Sequence, residues 1–471
     1  MRRRLAAAGT VLVLTLLVST PALADRYEPG STSGGDPYFP HAGNGGYDVQ
    51  HYDLTLSYDP ATGRLDGTAV VTLTATADLD SFSLDLRGLT ATSVTVDGGE
   101  ASYEQQPPEA TTGRGGELVI RPRPKLRAGT IHEVTVVYGG VPGQPVDIEG
   151  TRYGFHSTPD GAFVANQPEG APTWYPVNDV PTDKATYQFR ITVPEGKTAV
   201  ANGDPVGSPT TANGRTTFVW RETDPMASYL STASIGDYQP TTQTGPGGLP
   251  ILDYVDTGLT PENRATTEAS LALQPEMIDF FDDVYGPYPF ASFGAIVDDD
   301  SLEYALETQT RPIYSGVAEE STVVHELAHQ WVGDSVTPET WRDIWLNEGF
   351  AMYSEWLWAE ERGGRTAQQQ FDTVLARPAE NAFWATPPGD PGAEHLFARA
   401  VYLRGAATLH ALRGEIGDEA FFVLLRRWAT DTADGNVDTA DLVALAEEVS
   451  GQDLDTLFTV WLYTPGKPTT W

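Results

Sequence analysis

The apolar residues of this 471-residue chain change their spacing once, near residue 258, and that change limits the fold more than any other feature. From about residue 47 to 257 the period is two. Val71, Leu73 and Ala75 alternate with Thr72, Thr74 and Thr76; Phe82, Leu84 and Leu86 alternate with Ser83 and Asp85; Phe189, Ile191 and Val193 continue the pattern. Successive side chains of a strand point to opposite faces, so each run can bury one face of a sheet and wet the other. Asn202-Gly203 and Asn213-Gly214 supply turn signals between runs. At Thr260-Pro261-Glu262 a cap, a proline for the first helical position and a first-turn acid open a helix. Helical spacing then holds to the C-terminus. Leu271, Leu273, Met277 and Phe280 fit one apolar face, and Arg399 to Trp428 reads as two helices broken around Gly414 and Gly417. The length exceeds what one core usually serves, so the pattern predicts an all-β domain over 47–257 and a mostly helical one over 258–471. Residues 25–46, with Gly30-Ser31-Thr32-Ser33-Gly34-Gly35, read as a flexible lead-in.

Residues 1–24 are a different kind of sequence. Arg2, Arg3 and Arg4 precede an apolar run from Leu5 to Val18, and Ala22-Leu23-Ala24 stands before Asp25. The run is short for a bilayer span of about 20 residues. With small residues where signal peptidase needs them, it predicts a secretory signal cleaved after about Ala24. Cleavage removes three arginines and no acid, taking the formal charge from -36 to -39. That charge repels nucleic acid and anionic membranes, so neither is an expected partner. The acids are dispersed, as suits solubility outside the cell, and the protein is expected to be a monomer. Cysteine is absent. Disulfides, thiolate catalysis and cysteine zinc sites are excluded with it, and any metal must be held by histidine and carboxylate.

Ser321 to Gly333 reads Ser-Thr-Val-Val-His-Glu-Leu-Ala-His-Gln-Trp-Val-Gly, a short helix with Ser321 as N-cap and Gly333 as C-cap. Residues four apart share a helix face about 6 Å apart, so His325 and His329 can present imidazole nitrogens to one ion. Zinc suits neutral imidazole. Glu326 is rotated about 100° around the helix from His325, which places it to approach a water and act as general base. A third ligand is still required. Glu348, in Trp345-Leu346-Asn347-Glu348-Gly349-Phe350, can return on a second helix after the turn at Thr337-Pro338-Glu339-Thr340, completing a His2Glu set for one Zn2+ per chain.

These segments resemble the aminopeptidase N family of gluzincin metallopeptidases. The likeness runs from about residue 45 and includes Gly46-Tyr47-Asp48-Val49, Met226-Ala227-Ser228-Tyr229-Leu230 and Tyr285-Gly286-Pro287-Tyr288-Pro289-Phe290. The resemblance implies an N-terminal β saddle domain, then a thermolysin-like catalytic domain that hydrolyses the first peptide bond of peptides with a free N-terminus. It also implies three further site residues. Glu307, in Tyr304-Ala305-Leu306-Glu307-Thr308, occupies the acid of the family's Gly-x-Met-Glu-Asn motif and would bind the substrate ammonium; Tyr304, Leu306 and Thr308 depart from that motif. Glu169, in Asn166-Gln167-Pro168-Glu169, falls where the family places a second amine-facing group. Tyr402, in Val401-Tyr402-Leu403-Arg404-Gly405, matches the tyrosine that faces the tetrahedral intermediate. The chain ends at Trp471, where many relatives continue into a helical domain that caps the site, so a more open cleft is expected. The reading is a secreted zinc aminopeptidase. An endopeptidase with an open cleft and a secreted binding module with structural zinc stay open as alternatives.

Overall fold

The computed structural model describes residues 27–109, 115–146, 150–299, 302 and 304–470. The proposed signal sequence lies outside these residues. The N-terminal part is built from β-sheets, the largest a nine-stranded sheet in the order Asp204–Pro205, Arg215–Met226, Ala185–Pro194, Tyr47–Asp59, Arg64–Ala75, Ile131–Gly140, Thr90–Val96, Gly99–Glu100, with Thr210–Ala212 beside Arg215–Met226. Its strands obey the period of two: Leu65, Ala69, Val71, Leu73 and Ala75 are buried while Thr68, Val70, Thr72 and Thr74 are half-buried. Asn213 and Gly214 take positive φ and turn one of its hairpins, as their sequence predicts. Two four-stranded sheets complete this part.

The lead-in corrects one expectation. Glu28–Pro29 pairs with Leu79–Asp85, and Asp36, Phe39, Ala42 and Asn44 are buried. It also explains why Ser83 and Asp85 are buried where alternation predicts a wet face. Asp85 Oδ2 accepts from Gly43 N, Asn44 Nδ2 and Asp179 N, so the lead-in and the 178–183 segment cover that face of the strand. A carboxylate can be buried there because backbone and amide donors replace its water.

The second part carries a five-stranded sheet in the order Tyr238–Thr244, Pro250–Asp256, Phe293–Asp298, Ile313–Ser315, Ala305–Leu306. Its first two strands fall on the N-terminal side of the predicted break at 257/258. Pro250–Asp256 pairs in parallel with Phe293–Asp298, so sheet membership moves the break ahead of Tyr238. The helices of this part include α1 (Pro261–Leu271), α2 (Gln274–Tyr285), α3 (Glu320–His329), α4 (Trp345–Glu361), α5 (Ala367–Leu375), α6 (Arg399–Ile416), α7 (Asp418–Asp431) and α8 (Thr439–Ser450). Thr260 caps α1 by accepting from Asn263 N, as predicted. Leu271 and Met277 belong to different helices, because the chain breaks at residues 272 and 273. Gly414 lies inside α6, and Gly417 at φ 81° alone ends it. Apolar packing is continuous across both parts.

Candidate metal and substrate site

Helix α3 starts two residues earlier than its sequence suggests. Its N-cap position is Glu319, Ser321 sits in the first turn, and the helix closes at His329. Gly333 is therefore not its cap. It belongs to the turn that follows, at φ 133°, where an added Cβ would lie 3.1 Å from His329 Nδ1 and 3.2 Å from Asn347 Nδ2.

Helix α4 returns across α3 and brings Glu348 to the two histidines. Glu348 Oε2 lies 3.2 Å from His325 Nε2 and 3.6 Å from His329 Nε2, and one ligand atom from each of the three lies within 4.8 Å of the others. All three are buried. Each imidazole is held from behind: His325 Nδ1 meets Glu355 Oε1 at 2.8 Å, and His329 Nδ1 meets the Val332 carbonyl at 3.1 Å. Donation from both Nδ1 atoms leaves both Nε2 lone pairs aimed at the Glu348 carboxylate, which is the tautomer a metal ligand needs. This donor set fits a divalent ion that favours nitrogen and oxygen. The surrounding carboxylates favour positive charge at this place, whether carried by a proton or by a metal cation. Burial disfavours charge on His325, but Glu348 and Glu355 outweigh it and hold its pKa well above the usual imidazole range. Burial raises the Glu348 carboxyl, and the two histidines reverse this and bring it down to about 2.

Glu326 is buried beside this group. Burial pushes its pKa up to about 8; His325 and His329 work against the rise, and Glu307 and Glu348 add to it. Glu307, Glu326 and His329 also converge within 4.8 Å. The Glu307 carboxyl is raised by burial, with His329 opposing and Glu348 adding to the shift. Tyr402 enters from α6, its ring stacked on His325 with centroids 5.9 Å apart, and burial with the nearby Glu348 charge pushes its phenol well above the usual range. Close helix packing permits this: a Cβ on Gly405 would lie 2.9 Å from Gly349 Cα, so α4 and α6 touch backbone to backbone.

The structure thus gathers His325, His329, Glu348, Glu326, Glu307 and Tyr402. Glu169 is held by other partners. It is buried against Arg87, 3.6 Å from Oε2, and accepts from the Tyr153 hydroxyl at 3.3 Å. Its neighbour Gln167 is the residue that reaches the site, donating from Nε2 to Glu307 Oε1 at 2.8 Å. The departures around Glu307 have structural partners: Tyr304 donates its hydroxyl to the Arg152 carbonyl, Leu306 is buried in the sheet, and Thr308 bonds the Arg311 carbonyl. Sequence reading missed Gln167 and Glu355. The first lies two residues before a flagged acid, and the second lies seven after Glu348, two turns along the same helix face, so both carried a readable signal.

Comparison with known proteins agrees with this construction. Residues 48–230 match the peptidase M1 N-terminal domain and residues 292–461 the peptidase family M1 domain. Glutamyl aminopeptidase of Bos taurus is 26% identical over 456 residues, covering 89% of this chain and 46% of its own. Aminopeptidase N of Streptomyces lividans is 28% identical over 350 residues, covering 68% and 39%. The chain spans about half the length of such curated relatives or less. An M1 zinc metallopeptidase from Deinococcus radiodurans superposes with a TM-score of 0.84 at 29% identity, covering 93% of this chain and 98% of that one. A two-domain M1 zinc metallopeptidase mutant bound to L-arginine gives 0.82 at 29%, covering 93% and 100%. With both domain signatures in order, the shared two-part fold and the converging His325, His329 and Glu348, this chain belongs to the M1 family of zinc metallopeptidases.

Proposed function

We propose that this protein is a secreted aminopeptidase that removes the first residue of peptides with a free N-terminus. The observation that carries the reading is Glu307, a buried carboxylate within 4.8 Å of Glu326 and His329 and bonded by Gln167. An acid in that position suits a substrate ammonium, and an ammonium seated there brings the first residue of a peptide beside Glu326 and His329. His325, His329 and Glu348 would hold zinc, which when bound supplies Lewis acidity to the carbonyl and lowers the pKa of a water. Glu326 takes the proton of the attacking water and returns it to the leaving amine. Gln167 holds Glu307 by one oxygen. Tyr402 offers a phenol that burial keeps protonated, so it donates to the developing oxyanion.

The test is Glu307→Gln. Loss of the charge-assisted bond should lower kcat/KM for aminoacyl anilides roughly 10- to 100-fold while zinc stays bound. An unchanged kcat/KM contradicts amine recognition by Glu307, and internal cleavage fragments by mass spectrometry favour the endopeptidase reading. Secretion rests on residues 1–24, and mature protein recovered outside the cell should begin at Asp25.

A further inference from the structure

Four successive carbonyls follow α3, and the structure uses all of them. Val332 O accepts from His329 Nδ1, and so fixes that ring. The next three are gripped from the N-terminal part. Gly333 O accepts from the Tyr229 hydroxyl at 3.1 Å, and Asp334 O and Ser335 O accept from Lys184 Nζ at 3.0 and 2.8 Å. Lys184 stands at the start of strand Ala185–Pro194, and Tyr229 follows strand Arg215–Met226, so both grips come from neighbouring strands of the nine-stranded sheet. Tyr229 is fixed in turn. It is buried, its ring meets Trp341 edge-on with centroids 4.9 Å apart, and Asn347 Nδ2 donates to its hydroxyl at 3.3 Å.

The turn they hold has little freedom of its own. Gly333 sits at φ 133° against His329 and Asn347, and Asp334 N bonds back to the His329 carbonyl. A shift of this turn moves Val332 O relative to His329 Nδ1, and the imidazole must follow or lose its partner.

We infer that Lys184 and Tyr229 are positioning residues for the metal centre: the N-terminal sheet holds the 332–335 turn in the one place from which Val332 O orients His329. The proposal rests on the reading of His329 as a zinc ligand. It makes the N-terminal part a component of metal affinity as well as a wall of the substrate site.

The experiment measures zinc affinity against a chromophoric chelator, the visible absorption of the Co2+-substituted protein, and kcat and KM separately. The variants are Lys184→Met, Lys184→Arg, Tyr229→Phe and, as reference, His329→Ala. Lys184→Met and Tyr229→Phe should each weaken zinc about 10- to 100-fold, the range for removing a group that orients a ligand. They should also alter the Co2+ spectrum and lower kcat with little change in KM. Lys184→Arg should recover most of the affinity, since it can donate to the same two carbonyls. Tyr229→Phe removes one hydroxyl and keeps the ring, so it decides the matter if Lys184→Met does not fold. Wild-type zinc affinity and spectrum in Tyr229→Phe, with only a lowered melting temperature, overturns the proposal. Unchanged zinc affinity in His329→Ala overturns instead the ligand reading on which it stands.

Discussion

At the scale of single residues, the site assigns different work to three carboxylates of similar intrinsic acidity. Burial is the largest single influence on both Glu348 and Glu326, but two imidazoles together outweigh it at Glu348 and bring that carboxyl to about 2, whereas at Glu326 burial prevails and the pKa rises to about 8. The first is suited to a cation, and the second to taking and returning a proton. Glu307 is buried like Glu326 but has Gln167 on one oxygen. Replacing Glu326 by Gln keeps the volume and removes the base. The rate should fall about 10²- to 10⁴-fold, the usual worth of a positioned general base. Stopped assays with bound zinc verified by elemental analysis check this, and a variant within twofold of wild type contradicts the assignment.

At the scale of elements, helix α4 supplies more than the ligand that its sequence announces. Glu348 and Glu355 lie two turns apart on one face, so the same helix gives a ligand and the partner that fixes His325. Glu355→Gln should weaken zinc roughly 10-fold or more, measured by chelator competition; unchanged affinity shows that the bond to His325 Nδ1 does not matter for binding. The spacing His325, His329 and Glu348 was legible because helix periodicity converts directly into geometry. Glu307 and Tyr402 were legible only through resemblance, since nothing in a β-strand or an apolar helix requires those side chains to face zinc ligands. Glu169 meets Arg87 and Tyr153, distant in sequence, while Gln167 faces Glu307, pairings that local spacing does not encode. The same limit applies to the fold. Period-two spacing identified the strands, but not that Tyr238–Thr244 and Pro250–Asp256 join the catalytic sheet, nor that Phe39 and Asp36 bury the lead-in. Partner choice between elements depends on contacts that local periodicity does not encode.

At the scale of the whole molecule, several acids are buried away from the zinc ligands. Glu222 accepts from Asp224 N and the Thr310 hydroxyl, and burial pushes its pKa up to about 8. Asp253 rises to about 6, also through burial. A carboxyl whose folded pKa lies above its unfolded value binds more protons when folded. Its stability contribution is full below the unfolded pKa and is lost as pH rises through the folded one. For Glu222 that window runs from its ordinary 4.5 to about 8. Glu222→Gln should therefore reduce the drop in melting temperature between pH 5 and pH 8, raising stability most at the alkaline end. An equal drop in wild type and variant contradicts the burial of an acid held protonated there. No described helix is long and apolar enough to cross a membrane.

The proposed reaction is zinc-dependent and directed at a free amine, with His325, His329, Glu348, Glu326 and Glu307 carrying it. The most direct test compares kcat/KM for an aminoacyl anilide and its N-acetylated form, before chelation, after chelation and after zinc is restored. Turnover of the free amine only is expected, abolished by the chelator and recovered with one zinc per chain. Equal hydrolysis of the acetylated substrate, or turnover that survives removal of zinc, would contradict it.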